Sequence, residues 1–210
     1  MKSKLIVLLV LAVTLGIGFA TLSDTLKIDI GTTVNPDSEL FSILFSSSSS
    51  EVTTNSITPT LTGEVSANNA TIENGNNPVI KDISLEFSDT NQEVQYVFYV
   101  HNTGSYDAYL NSATFSNYSD DSSFKKCSAI SGTTQSIVDT ICNDIVVDLK
   151  VNDLSISSTK NNIDNHKLEK NSYEMVTLTI KYNNSTNSST LDGDFIVEFG
   201  TISLNYNSLD

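Results

Sequence analysis

The sequence contains few basic residues and few histidines and cysteines, which are the usual zinc ligands. Of its 210 residues, none is tryptophan, three are proline, two are cysteine and two are histidine. Lys and Arg number 11 against 25 Asp and Glu, which gives a formal net charge of −14. Because phosphate groups are bound by clustered Lys and Arg, this balance argues against a nucleic acid or an anionic membrane surface as a partner.

Motifs that carry enzymatic chemistry are also missing. The sequence has no HExxH, Gly-x-Ser-x-Gly, P-loop or Gly-x-Gly-x-x-Gly pattern. The two histidines, His101 and His166, stand at no metal-ligand spacing from each other or from a cysteine. Acidic clusters at 120–121 and 192–194 offer oxygens that a calcium ion can use, but solvated turns explain such short clusters better. We therefore expect a protein that is not an enzyme and has no cofactor.

What the sequence does contain is hydrophobic residues at every second position, most clearly in residues 93–115. Val94, Tyr96, Phe98 and Val100 fall on one face of a predicted strand. Residues 101–105 predict a turn, in which Gly104 adopts positive φ and Asn102 bonds to the nearby backbone, and a second strand follows to residue 115. An antiparallel pair with one apolar face needs a facing sheet, so the fold class is predicted as all-β.

The same alternation predicts strands along most of the chain. The further segments are 25–30, 40–45, 57–65, 83–87, 145–151, 154–156, 173–182 and 195–206. Pro59 and Gly63 predict that the segment 57–65 lies at a sheet edge, and Gly200 predicts a bulge or bend in the last strand. Residues 46–50 and 67–78 read as a flexible serine loop and as mostly loop, respectively. Nine or ten strands predict a two-sheet antiparallel sandwich of jelly-roll type, with one domain spanning residues 21–210.

A long connection from 117 to 143 contains the two cysteines. Ile137, Val138 and Ile141 have helical spacing, which predicts one short helix capped by Thr133 or Thr134. Cys127 and Cys142 are an even pair in a chain that we expect to be exported, and this favours a disulfide. Two free thiols, or a metal site with further ligands, are the alternatives.

The first 20 residues have the pattern of a signal peptide. Lys2 and Lys4 precede an apolar run, and the small residues Gly18 and Ala20 form an A-x-A-like cleavage site. We predict cleavage after Ala20 or one residue later, and an extracellular or cell-surface location. The alternative is an uncleaved membrane anchor, because the apolar run to Leu22 is almost long enough to span a bilayer.

Two stretches resemble the camelysin/TasA family of Gram-positive biofilm-matrix proteins. One is Gly-Ile-Gly-Phe-Ala-Thr-Leu-Ser-Asp at 16–24, which is similar to the region that a dedicated SipW-type signal peptidase processes in that family. The other is Phe-Tyr-Val-His-Asn-Thr-Gly-Ser at 98–105 with Ala108, which resembles an apolar strand followed by an Asn-x-Gly turn. The resemblance implies an exported jelly-roll subunit that forms extracellular fibres, in which the N-terminal strand of one subunit completes the sheet of the next.

Three functional hypotheses follow. The first is a secreted or cell-surface structural protein that polymerises with itself, with Leu26, Ile28 and Ile30 as the apolar face of an assembly strand. The second is a monomeric surface adhesin or ligand-binding sandwich. The third is a surface metalloprotease, a name also given to camelysins, but two isolated histidines supply no catalytic zinc site.

Overall fold

The computed structural model describes residues 41–52, 55–119, 122–130, 132–156, 166–183 and 193–208. The predicted cleavage residues Gly18 and Ala20 and the predicted assembly strand with Leu26, Ile28 and Ile30 lie outside these residues. So do the acidic pair 120–121 and Asp192. In the described part, no helix is long and apolar enough to cross a membrane.

The described part of the chain is an all-β sandwich of antiparallel sheets with one short α-helix. The elements in chain order are β1 (Ile43–Ser46), β2 (Ser56–Ile57), β3 (Thr60–Thr62), β4 (Ser66–Ala67), β5 (Ala70–Glu73), β6 (Val79–Lys81), β7 (Ser84–Phe87), β8 (Glu93–Asn102), β9 (Ala108–Phe115), β10 (Lys125–Ala129), α1 (Gln135–Ile141), a 3-10 turn (Cys142–Asp144), β11 (Ile145–Val151), β12 (Leu154–Ile156), β13 (Lys167–Leu168), β14 (Ser172–Tyr182), β15 (Phe195–Phe199) and β16 (Ile202–Asn207). The fold class is as predicted, whereas the jelly-roll connectivity stays a prediction.

The first layer of the sandwich is a sheet with the strand order β1-β8-β14-β11-β12, and β3 pairs with β8 on the same side as β1. Its centre is the ladder between β8 and β14, which runs over ten residue pairs. The inward faces are the alternating apolar residues that the sequence predicts, and all of them are buried: Val94, Tyr96, Phe98, Val100, Val176, Leu178, Ile180 and Tyr182. Burial of one face per strand therefore explains the two-residue period.

The second layer consists of two sheets that meet at a bend. Their strand orders are β10-β15-β7-β4 and β13-β9-β16-β6-β5-β2. Three chain-consecutive pairs, β4 with β5, β6 with β7 and β15 with β16, place one strand in each sheet. The breaks between these pairs lie side by side, and the bend is this line along which strand pairing is interrupted. The two layers touch through aromatic rings, with Phe87 and Phe195 6.0 Å and 5.4 Å from Tyr182.

The prediction that residues 93–115 form an antiparallel pair is wrong. β8 belongs to the first layer and β9 to the second, so the turn between them crosses the sandwich. The Asn102 side chain organises this crossing, because it accepts the N–H of Gly104 at 3.1 Å, as predicted, and donates to the carbonyls of Tyr106 and Leu168 at 2.8 and 3.2 Å. Gly104 is not at positive φ; among the described glycines only Gly63 and Gly132 are.

Several short strands were not predicted. β5 and β6 lie in or beside the segment that reads as loop, and β10 lies inside the long connection. In β5 only Ala70 and Ile72 are buried, and two apolar residues between asparagines make too short a pattern to recognise. The predicted strands at 57–65 and 195–206 are each divided among different sheets, and the second one divides at Gly200.

The disulfide and the helix lie together at one edge of the second layer. Cys127 in β10 is bonded to Cys142 directly after α1, with 5.9 Å between the Cα atoms. Thr134 stands at the N-cap, as one of the two predicted positions, but its side chain makes no capping hydrogen bond. Val138 and Ile141 are fully buried, so the helix contributes its apolar side to the common core.

Gly200 lies at the bend where no side chain fits. A Cβ atom there would be 1.9 Å from the carbonyl oxygen of Ser116, whereas one at Gly75 would meet no atom within 4 Å. We expect Gly200→Ala to lower the free energy of unfolding by about 1–3 kcal/mol or more, since backbone has to move. Urea unfolding measures this change. The control Gly75→Ala should stay within about 1 kcal/mol of wild type, and equal effects of the two substitutions would contradict the steric explanation.

The disulfide closes a loop of 15 residues in sequence separation. Replacing Cys127 or Cys142 by Ser should lower the free energy of unfolding by about 2–5 kcal/mol, because the unfolded chain gains conformational freedom. Chemical unfolding of each variant and of the oxidised wild type measures the difference. Titration of two reactive thiols in the native protein would overturn this prediction.

Candidate interaction edges and a buried carboxylate

The outer edge of β1 is covered by a side-chain amide. The N–H of Phe45 donates to Asn74 Oδ1 at 2.8 Å, and Asn74 Nδ2 donates to the carbonyl of Phe45 at 2.8 Å. A neighbouring antiparallel strand would make the same two bonds with one residue. Asn74 therefore occupies the position at which a further strand would start to pair with β1.

The outer edge of β10 is covered in the same way. The N–H of Ala129 donates to Gln135 Oε1 at 2.8 Å, and Gln135 Nε2 donates to the carbonyl of Cys127 at 3.1 Å. Gln135 is the first residue of α1, and the disulfide attaches the other end of this helix to β10. The helix thus closes this edge to pairing.

Other edges are short or occupied. β2, β4 and β13 have two residues each, and β3 and β12 have three, so each offers few backbone groups. β12 covers only 149–151 of β11, and further along β11 the amine of Lys125 donates to the carbonyl of Ile145 at 2.8 Å. Burial lowers the pKa of this lysine, while the negative charge of Asp144 acts in the opposite direction.

One longer segment of edge is uncovered in the described part of the chain, and it belongs to β9. β13 pairs with Ala108 and Tyr109, and the carbonyl of His166 accepts the N–H of Leu110 at 2.9 Å. Beyond a bulge at Asn111, no described strand or side-chain amide covers 112–115 on the side away from β16.

The direction of the backbone groups along this edge follows from one hydrogen bond. The N–H of Ser116 donates to the carbonyl of Thr201, at 2.9 Å, so Ser116 faces the β16 side. Backbone groups alternate along a strand, and Thr114 therefore faces β16 as well, whereas the N–H and C=O of Ala113 and Phe115 point to the open edge. Among the described residues, nothing pairs with these four main-chain groups.

A carboxylate is buried between the two layers near the covered end of β9. Glu174 on β14 is 4% exposed, and its Oε1 accepts the hydroxyl hydrogen of Tyr206 on β16. Its Oε2 lies 2.5 Å from His166 Nε2 and accepts a longer bond from Asn152 Nδ2 at 3.4 Å. Both oxygens have partners from the protein, which is what a buried carboxylate requires. This cluster connects the first layer to the second.

The environment of Tyr206 stabilises its neutral form. Burial raises the pKa of its hydroxyl well above the ordinary value, and the negative charge of Glu174 and the hydrogen bond to it act in the same direction. Burial likewise raises the pKa values of Tyr96 and Tyr182. The native state keeps these phenols neutral, so its stability should fall at alkaline pH.

The structure separates the two histidines that the sequence singles out. His166 contacts Glu174, whereas the Nε2 of His101 lies 2.8 Å from the carbonyl oxygen of Ser48. The described residues contain no group of three or more His, Cys, Asp or Glu side chains that could hold a metal ion. Sequence reasoning missed Glu174, although it stands on the same alternation as Val176 and a charged residue at an inward position is a recognisable signal.

No family model matches this chain. No curated protein and no solved structure is significantly similar to it either.

The pKa of Tyr206 leads to a pH prediction. A group whose pKa is raised by folding stabilises the native state below its unfolded pKa, and this contribution is lost as pH rises above about 10. In Tyr206→Phe, the fall of unfolding free energy with pH should be less steep, by up to about 1.4 kcal/mol per pH unit. Urea unfolding between neutral pH and pH 11 measures the slope, with the exposed Tyr106→Phe as a control. Identical slopes in both variants would contradict the assignment.

Proposed function

We propose that this chain is an exported structural protein that assembles with copies of itself by addition of a strand to the edge of β9. The observation that carries this proposal is the selective covering of edges. Asn74 and Gln135 occupy the edges of β1 and β10, while the outward backbone groups of Ala113 and Phe115 have no such cover in the described structure. An uncovered edge is a template for strand addition.

The sequence offers a donor for this edge. Residues 25–30 alternate between Leu26, Ile28 and Ile30 on one face and polar residues on the other. We propose that signal cleavage leaves this segment near the new N-terminus, where it pairs with β9 of a neighbouring subunit. Repeated head-to-tail addition does not close on itself and so produces a filament.

The proposed location is extracellular or on the cell surface. The N-terminal pattern of a signal peptide and the Cys127–Cys142 bond support it, because disulfides persist in oxidising compartments. A signal peptidase of SipW type is the proposed processing partner, and membership in a camelysin/TasA-like group with jelly-roll connectivity is part of the same proposal. The proposed role is structural and needs neither catalysis nor a cofactor.

Two triple variants test the donor segment in the chain 21–210. Leu26→Ser, Ile28→Ser and Ile30→Ser together should abolish filaments seen by negative-stain electron microscopy, because the apolar face of the donor is removed. The matched control Thr25→Ser, Lys27→Ser and Asp29→Ser changes the other face of the same segment and should leave filaments intact. Normal polymerisation of a chain lacking residues 21–30 would overturn the donor role.

Hydrogen exchange tests the acceptor edge separately. A synthetic peptide of residues 21–32 is added to the chain 33–210, and amide exchange is followed by NMR. The amides of Ala113 and Phe115 should gain protection, while that of Thr114 should not, because it already faces β16. Binding of the peptide without protection of these two amides would place the acceptor elsewhere.

A further inference from the structure

An open groove lies on the opposite layer, at the end of the sheet where β8 finishes and β14 begins. Its volume is about 510 Å³. The residues that shape it are Ser49, Ser50, Thr103, Asn171, Ser172 and Tyr173, together with His101 and Asn102. The amide of Asn102 is buried and organises the crossing to β9. Neither the strand edges nor the buried Glu174 cluster uses the other side chains.

The groove is lined by the aromatic ring of Tyr173, which packs against two neighbouring rings. Tyr173 is 52% exposed although it stands in the central ladder of the sheet, directly opposite His101 on β8. The ring of His101 packs 5.5 Å from that of Tyr173, and Tyr99 meets Tyr173 edge-on at 5.8 Å. Such packing limits the movement of Tyr173 and leaves part of its surface available to a ligand.

One wall of the groove is the serine run that reads as a flexible loop. Hydrogen bonds between its own side chains and backbone organise it instead. Ser46 Oγ donates to the carbonyl of Glu51 at 2.8 Å and accepts the N–H of Ser48 at 3.1 Å, while Ser48 Oγ accepts the N–H of Ser50 at 3.2 Å. The contact of His101 with the Ser48 carbonyl attaches this loop to β8. The structure therefore places serine hydroxyls in a defined position beside Tyr173.

The chemistry of the lining selects the class of ligand. No Asp, Glu, Lys or Arg is among these lining residues, in a chain where such residues make up 17%. The polar groups are hydroxyls and amides, which both donate and accept hydrogen bonds. A ligand that matches them has neutral hydroxyl groups and an apolar face for the tyrosine ring.

From this arrangement we infer that the groove binds a neutral oligosaccharide. A sugar ring presents C–H groups on one face, which pack on Tyr173, and hydroxyl groups at its rim, which bond to Asn171 and to the hydroxyls of Ser50 and Thr103. These two hydroxyls also bond to Ser48 Oγ at 3.0 Å and to Ser42 Oγ at 2.8 Å, and each keeps acceptor capacity for a sugar hydroxyl. The net charge of −14 disfavours anionic glycans. This binding site is independent of the proposed assembly through β9.

Isothermal titration of the full chain carrying Leu26→Ser, Ile28→Ser and Ile30→Ser tests the inference, because these substitutions remove the apolar face of the proposed donor strand and the chain is not expected to polymerise. The probes are cellotetraose, chitotetraose and mannotetraose, with tetragalacturonate as the anionic comparison. At least one neutral tetrasaccharide should bind saturably, and more tightly than tetragalacturonate. NMR shifts should change at Ser50, Thr103 and Ser172.

Substitutions then assign the site. Tyr173→Ala should weaken binding at least about tenfold, and Tyr173→Phe, which keeps the ring, should stay within about threefold. Tyr106→Ala is the matched control, because Tyr106 is 54% exposed and does not line the groove. Failure of all three neutral probes to bind, tighter binding of tetragalacturonate, or unchanged binding by Tyr173→Ala would each overturn the proposal.

Discussion

Backbone N–H and C=O groups at strand edges and strand ends need partners, and this sandwich satisfies several of them with side-chain amides. Asn74 and Gln135 each make two backbone hydrogen bonds at an edge strand. Asn68 does the same at the bend, where it accepts the N–H of Ser84 at 2.7 Å and donates to the carbonyl of Asp82. Carboxamides suit this purpose because one group both donates and accepts. Uncharged polar side chains of this chain therefore help to satisfy the backbone groups at the edges and ends of its sheets.

Selective covering of edges has a consequence for assembly. A subunit with several open edges would add strands at each of them and form branched or disordered aggregates. Here the helix α1 and the amides of Asn74 and Gln135 remove two edges from this competition, and the short strands offer little at others. Addition at a single edge by a single donor would produce linear growth, which is why the covered edges matter to the proposal as much as the open one.

How much the sequence could predict depended on the range of the interaction. Inward alternation identified β8, β11 and β14, because burial of one face is a local pattern. Partner choice is not local, and so the turn after Asn102 gave no sign that β9 joins the other layer. At the candidate sites, the sequence could not predict that Asn74 and Gln135 cover strand edges either. The residues next to each amide in the sequence do not indicate which strand the amide will bond to. Glu174 is different, because its inward position could be read from the alternation of β14.

The two proposed surfaces, the edge of β9 and the groove at Tyr173, lie on different layers and can therefore be occupied at the same time. β9 is in the second layer, while Tyr173 faces outward from the first, so strand addition at β9 does not require the groove to be covered. Each subunit of a filament would then carry one open groove. An open groove with one aromatic ring binds a single sugar segment weakly, but repeated grooves along a filament raise the effective concentration for a polymeric glycan. Stable retention of a polymeric glycan would in that case depend on assembly, because only the filament presents enough grooves to hold the glycan.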